Sequence, residues 1–464
     1  MKRAKPPKFI ILLAILTTYY GSLLALFHLI QPLFDRELST ATDVLITPQP
    51  ETTSEFRSVF KDPEILSQII TRTKNKYKYE VWELRNVCIS TNETVIYTAT
   101  PAKAATLNAK YKGCKKGNDP FCACMKRSGV RFEALESDRV NFIAFDQTPT
   151  WLMYQWLPRH HVAHYAFSLV QFHSILLHSK HYDLPSFESI LFQDNPSPLN
   201  NYEKSLLEIV KQSGYLANLR SIDFLSKEAQ EYKPVKNETK CFQSIHTSRM
   251  SEVYSTNSED LDVFRQSAER VLGLNITGSI CPPNHAVILV RNKAKKGRQR
   301  VMKNIDQVIR LLNKKGIHHV DVVDLNGSQT LQQQASMISK YGLIISSHSS
   351  QLANLLFAHR NAVVMEMSVV YKPAFRTLGN MARLKYINSV GHRPDKSARS
   401  YIQKLFGRLE KTCNVAVVNG CNITSVERET LKSADYWVNL KTFERDLNEG
   451  IGFLNEKCGN KVWA

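Results

Sequence analysis

Between Tyr341 and Met367 the chain reads YGLIISSHSSQLANLLFAHRNAVVMEM, and this stretch limits the fold more than any other. Gly342-Leu-Ile-Ile345 is a short apolar run without polar alternation, the pattern of a strand buried on both faces of a parallel sheet. It breaks into the polar segment Ser346-Ser-His-Ser-Ser-Gln351. A helix is predicted next, with Leu352, Leu355, Leu356 and Phe357 on its apolar face, serines to cap it, and first-turn N–H groups open to an anion. Arg360-Asn361 then turns the chain into a second buried strand over 362–367 that carries one carboxylate, Glu366. Ligands of open α/β sheets bind at the carboxyl ends of strands, so this loop and Glu366 are a candidate site. The bland alternative is one more βαβ unit with a polar loop.

The same alternation precedes it. A strand over 286–290 ends at Arg291, the basic run 292–303 leads into a helix through 312, and a strand over 319–323 and a helix over 331–340 follow. Together these predict a doubly wound, parallel half-sheet. Upstream, strands are predicted at 81–89, 94–98, 141–145, 189–192 and 219–224, with helices at 165–178 and 202–213. The aromatic segment 151–164 brings His160, His161 and His164 to a helix start; for His160, His161 and His173 a core or surface role fits best. Asp260-Leu-Asp262 matches the D-x-D pattern of metal-dependent sugar transferases. It also follows Thr256-Asn-Ser-Glu and opens an amphipathic stretch over 261–272, where a helix dipole favours acids, and it is read as a helix start. Downstream, 373–383 is predicted helical, 386–387 extended, and 435–454 a helix packing back across both halves.

The chain's 464 residues suffice for two or three domains, and 43% apolar with 22% charged residues excludes a disordered protein. Residues 9–30 carry no charge and are long enough to cross ~30 Å of hydrocarbon at ~1.5 Å per residue. Lys2, Arg3, Lys5 and Lys8 precede this run, so an uncleaved signal anchor with a cytoplasmic tail (1–8) and a lumenal remainder is predicted. A Pro/Ser/Thr-rich stem over 31–78 follows, then domains over 79–280 and 281–400 and a helical segment over 401–464, the boundary marked by Cys281-Pro-Pro-Asn-His285. All nine cysteines lie beyond the anchor, where most are expected to oxidise. Asn92, Asn237, Asn275, Asn326 and Asn422 each begin an N-x-S/T sequon. The net charge of +19 points to acidic partners such as phosphates, nucleotide sugars or acidic glycans, and a lumenal location disfavours nucleic acid. No P-loop, H-E-x-x-H or G-x-S-x-G motif is present.

Arg291, the run Arg300-Val-Met-Lys-Asn304, Ser346-Ser-His348-Ser-Ser-Gln-Leu352-Ala-Asn354, Phe357 and Glu366 together resemble the second domain of glycosyltransferase family 61. That family includes plant xylan arabinosyl- and xylosyltransferases and animal enzymes that add N-acetylglucosamine to secretory proteins. The resemblance implies an α/β fold of the GT-B kind, two Rossmann-like domains facing across a cleft, behind one transmembrane helix. It implies a lumenal, type II membrane glycosyltransferase of the endoplasmic reticulum or Golgi, moving a hexose or pentose from a nucleotide sugar, UDP-linked by expectation, to a protein or glycan acceptor. Inversion without an essential metal or other cofactor is implied as well. The donor-binding set carried over is Arg291, Arg300, Asn304, Ser346, His348, Ser349, Ser350, Asn354 and Glu366, with Glu366 accepting from ribose or sugar hydroxyls; His164 is the candidate base. Two departures stand out. Ser346, Ser349 and Gln351 replace glycines of the family loop, which makes positive φ angles harder. Ser168 stands where the family has Asp in H-x-x-x-D, so slow chemistry, a different base, or an inactive relative serving as a glycan-binding or accessory protein is the alternative.

Overall fold

The computed structural model describes residues 70–73, 80–89, 93–98, 101–111, 129–134, 146–153, 162–192, 200–224, 240–248, 257–278, 281–291, 300–325, 329–370, 375–396, 400–412, 424–459 and 463. All belong to one unit, Pro63–Ala464. The expected anchor, the strand expected at 141–145, His160 and His161, and the sequons at Asn92, Asn237, Asn326 and Asn422 lie outside the described residues. Among the described residues no helix is long and apolar enough to cross a membrane.

Eight strands form the first sheet: β1 (Ile70–Thr73), β2 (Glu80–Ile89), β3 (Glu93–Thr98), β4 (Gly129–Ala134), β5 (Thr150–Met153), β6 (Ser189–Phe192), β7 (Ser221–Phe224) and β8 (Lys240–Ser248). Their order is β4-β3-β2-β8-β5-β6-β7, with β1 also on β2. β1 falls inside the stretch expected to be stem. β8, β5, β6 and β7 run parallel, and β2 is antiparallel to β1, β3 and β8. β8 escapes prediction because its pattern is irregular. Its place is set by pairing with distant β2, where Cys241 lies opposite Cys88 and the two form a disulfide.

The second sheet is the doubly wound one. β9 (His285–Leu289), β10 (His319–Val323), β11 (Leu343–Ser347), β12 (Val363–Met367) and β13 (Lys385–Ser389) are all parallel, in the order β10-β9-β11-β12-β13. The expected strands are there to within two residues, and β11 and β12 are buried at every position, as unbroken apolar runs require. The β11–β12 crossover differs: Ser350–Phe357 is a 3-10 helix, not an α-helix. All of Gln351 to Phe357 is buried, and the tighter turn draws both apolar faces inward.

One apolar core joins the two sheets. It runs from Val81, Trp151, Ile190 and Phe192 of the first sheet to Val287, Leu289, Ile344 and Val364 of the second. The helices Val162–Leu177, Asn201–Val210 and Ser258–Leu272 lie in it and are covered from both sides. On the far face of the second sheet, Ile305–Lys314, Ser400–Thr412 and Leu440–Cys458 close another core. The C-terminal helix therefore packs on β12 and β13, where Gly450 admits Val363 and Ile387. Cys458 is tied to Cys281, and Trp463, fully buried, lies against Gly342 at the start of β11.

Ser258–Leu272 begins as read from the sequence, three residues earlier. Asn257 caps it, accepting from the Asp260 N–H at 2.7 Å. Asp260 accepts from Ser174 Oγ and pairs with His178 Nε2 at 2.9 Å, while Asp262 accepts from Arg360 at 2.8 Å and Arg383 at 2.9 Å. Both carboxylates are thus committed to packing the helix. On the same helix, fully buried Arg265 donates to the carbonyls of Ile276, Ala358 and Ala382, linking the shared layer to the loops before β12 and β13. Burial pulls its guanidinium down to about 10, with Asp262 opposing, so it stays charged at neutral pH.

A Cβ at Gly342 falls 2.2 Å from the Trp463 ring and 2.9 Å from the Pro283 carbonyl. Gly342→Ala is expected to destabilise by about 1–3 kcal/mol and Trp463→Ala by about 3–5 kcal/mol. Denaturant unfolding of the double variant is expected to show less than the sum, because the small residue relieves the clash. His173, fully buried between the rings of Phe264 and Tyr215, has no hydrogen bond on either nitrogen among the described residues, and burial lowers its pKa to about 4. The unfolded chain binds this proton near 6.5, so stability is full above about pH 6.5 and falls as pH drops toward 4, by up to about 3 kcal/mol. Unfolding free energies measured across that range on wild type and His173→Phe are expected to lose this slope in the variant.

Candidate functional site

The order β10-β9-β11 makes the chain leave β9 toward one side and β11 toward the other, so no crossover helix covers the gap between their carboxyl ends. Leu289 is level with Ser346 in the register, which sets Val290 and Arg291 beside the segment from Ser347 to Ser350. Gln351 fastens the two: its Nε2 donates to the Val290 carbonyl and to Asp324 Oδ1, both at 3.0 Å. Arg291 is partly buried here. Desolvation draws its guanidinium below the ordinary arginine value, and the charge of Asp324, at the end of β10, opposes this.

Replacing the glycines has an unexpected local solution. None of residues 346–351 has a positive φ, and Ser349 is extended, at φ −152°. The left-handed residue of the site is instead Arg300, at φ 52°, a conformation that costs an L-residue about 1–2 kcal/mol. Several contacts hold it there. Its Nη1 donates to the His348 carbonyl, its own carbonyl accepts from Ser347 Oγ at 2.9 Å, and Ser347 Oγ also meets the Tyr436 hydroxyl at 2.8 Å. Ser349 begins the 3-10 turn without capping it by its side chain, and its buried Oγ has no hydrogen bond among the described residues. Ser350 is partly exposed, whereas Ser346 is fully buried and donates to the Ser347 carbonyl at 2.8 Å.

Behind the loop sits a buried polar cluster. His348 Nδ1 bonds to Glu366 Oε1, and the Tyr386 hydroxyl and Asn388 Nδ2, the latter at 3.2 Å, both donate to Glu366 Oε2. Glu366 is fully buried. Protein donors reach both its oxygens. Asn304 is likewise absorbed by the fold, exchanging two hydrogen bonds with the Val438 backbone, at 2.7 and 3.0 Å. Asn354 donates to Gln334 at 3.0 Å and accepts from the Tyr202 hydroxyl at 3.2 Å, pinning the 3-10 segment to the shared helices. Burial raises the Tyr202 pKa, so its hydroxyl remains a donor.

His164 lies in the first turn of Val162–Leu177. A turn further on, Phe167 packs on Phe375 at 6.0 Å, and Phe375 packs on the His348 ring at 5.4 Å, so this helix start adjoins the switch point. Ser168 is buried. Asn275 is exposed, and Thr277 of its sequon donates to Glu269 at 2.7 Å. Sequence reading missed Gln351, Tyr386, Asn388 and Tyr436 as site residues. Tyr386 and Asn388 share a face of β13 by their spacing of two, but that face meets Glu366 only once β13 is known to lie beside β12.

The mixed α/β structure with its parallel sheets fits an α/β glycosyltransferase. The family model described as Glycosyltransferase 61 matches residues 152–365, from β5 into β12, and supports membership of that family. No curated protein matches the chain.

Asn304→Ala strips the Val438 N–H and carbonyl of their partner in a buried position. An equilibrium unfolding measurement is expected to show a loss of about 2–4 kcal/mol, the cost of two orphaned backbone groups.

Proposed function

We propose that this chain transfers a sugar from a nucleotide sugar, UDP-linked, to a protein or glycan acceptor, inverting the anomeric centre without an essential metal. The observation that carries this reading is the meeting of Arg291 with the start of the 3-10 segment at the switch point of a parallel sheet. A departing nucleoside diphosphate needs positive charge and oriented N–H donors, and these two features supply both. The unpartnered Ser349 hydroxyl adds a donor at the same place. Arg300 fixes the His348 carbonyl and brings a second guanidinium to the loop.

The acceptor enters from the side of Val162–Leu177, where His164 takes the acceptor proton as the sugar is transferred. Ser168 cannot stabilise the resulting imidazolium as a carboxylate would, so turnover is slow. The charge that a metal supplies in other sugar transferases comes here from arginines, and Asp260 and Asp262 are spent on Ser174, His178, Arg360 and Arg383. Residues 9–30 anchor the chain, with the sheets on the lumenal side of the endoplasmic reticulum or Golgi. The Cys88–Cys241 and Cys281–Cys458 disulfides and the exposed Asn275 sequon support an oxidising, glycosylating compartment.

Calorimetric titration of the full-length chain with UDP, GDP and CMP, in the presence of a chelator, is expected to show selective UDP binding. Arg291→Ala is expected to weaken it at least ~tenfold, about 1.4 kcal/mol or more. No binding of any nucleotide would overturn the donor site and leave the inactive, glycan-binding relative as the reading.

A further inference from the structure

We propose that Glu366 is a positioning residue that turns His348 into the cation facing the departing diphosphate. This inference rests on the nucleotide-sugar reading and adds to it a residue role, a charge state and a pH dependence.

The geometry separates two kinds of group at the switch point. Arg291 and the first 3-10 residues stand at the carboxyl ends of the strands, where a ligand arrives. Glu366 stands behind them, fully buried, on the strand beside β11. Its influence passes through His348, whose Nδ1 it bonds. The opposite oxygen is held by the Tyr386 hydroxyl and Asn388 Nδ2, both from β13, so the carboxyl group is braced in one orientation. Phe375 packs against the His348 ring from the other side at 5.4 Å and confines its plane. With Nδ1 committed to Glu366, proton exchange at this imidazole runs through Nε2. A carboxylate bonded to Nδ1 in a buried setting favours the protonated ring, because the cation is then paired rather than isolated. An imidazolium at this position has the charge and the N–H that a leaving phosphate oxygen requires.

The other titratable groups around the ring weigh on the same balance. Arg300, on the His348 carbonyl, opposes a second positive charge. Tyr436 reaches the loop through Ser347, and burial raises its pKa, so it is neutral. Asp435, next in sequence to Tyr436, pairs with Lys303 at 3.2 Å, so its charge is balanced locally. Glu366 is the carboxylate bonded to the His348 ring.

The test is UDP affinity of the full-length chain, measured by calorimetry from pH 6 to pH 9 for wild type, His348→Asn and Glu366→Gln. UDP's own phosphate titration is common to all three and cancels in the comparison. Relative to His348→Asn, wild-type affinity is expected to be about tenfold higher at pH 6 and to lose that advantage as pH rises. In Glu366→Gln the loss is expected about one pH unit lower, since the partner charge is gone. A wild-type curve parallel to that of His348→Asn would overturn the inference while leaving nucleotide binding standing. A Glu366→Gln curve that superimposes on wild type would remove Glu366 from the role. Should that variant fail to fold, the comparison of wild type with His348→Asn still decides. Absence of UDP binding at every pH would instead defeat the donor reading itself.

Discussion

A parallel sheet wound in two directions must leave one place between neighbouring strands that no helix covers, and the catalytic reading of this protein depends on where that place falls. Here it falls between β9 and β11. The consequence is local and physical: two strand ends with unsatisfied backbone groups point into the same gap, and whatever follows each strand lines it. Arg291 follows one and the serine-rich segment follows the other. Gln351 then satisfies the Val290 carbonyl and the Asp324 carboxylate at once, so the gap stays open without its rim coming apart. Moving either strand by one residue would turn Arg291 and His348 to the wrong faces.

Such a rim is only as rigid as what lies beneath it, and the shared helical layer supplies that support. Arg265 is the most expensive element of it. A fully buried guanidinium is tolerated because three carbonyls from three loops converge on it. The loops at Ala358 and Ala382 are the ones that enter β12 and β13, which carry Glu366, Tyr386 and Asn388. A residue of the helix that begins with Asp260 and Asp262 thus holds the strands of the buried cluster in register. The D-x-D motif has a use here, as part of the scaffold.

Sequence reading succeeded where the signal was local. Unbroken runs such as Leu-Ile-Ile at 343–345 and Val-Val-Met at 363–365 have one good solution, a doubly covered parallel strand, and the strands lie there to within two residues. It failed where placement depends on distant partners. β8 has an irregular pattern because it is wedged between an antiparallel and a parallel neighbour, and its burial follows no simple alternation. The 3-10 segment has the apolar spacing of an α-helix, but it is buried all round. Glu366 was recognisable as a functional carboxylate by its strand end. Whether it faces a ligand or backs a histidine depends on β13 lying beside β12, which is a property of topology and not of any window of sequence. Asn304 shows the same dependence: its position in a motif suggested a ligand contact, and its amide bonds the backbone of distant Val438.

The backbone of the serine loop does not call for glycine. Glycine is needed where φ must be positive or where a side chain would collide. Neither condition holds at Ser346, Ser349 or Gln351, whose backbones are ordinary. The left-handed residue is Arg300, which accepts its positive φ because Ser347 and His348 hold it from both sides. The replacements are therefore productive. Gln351 ties two strand ends and Ser349 keeps a hydroxyl at the turn, while neighbouring Ser347 locks Arg300. A glycine loop offers only N–H groups and freedom; this loop offers N–H groups, hydroxyls and a fixed frame. On the proposed donor reading, its lower conformational entropy before binding would leave less ordering to be done when a diphosphate binds, which favours affinity over adaptability.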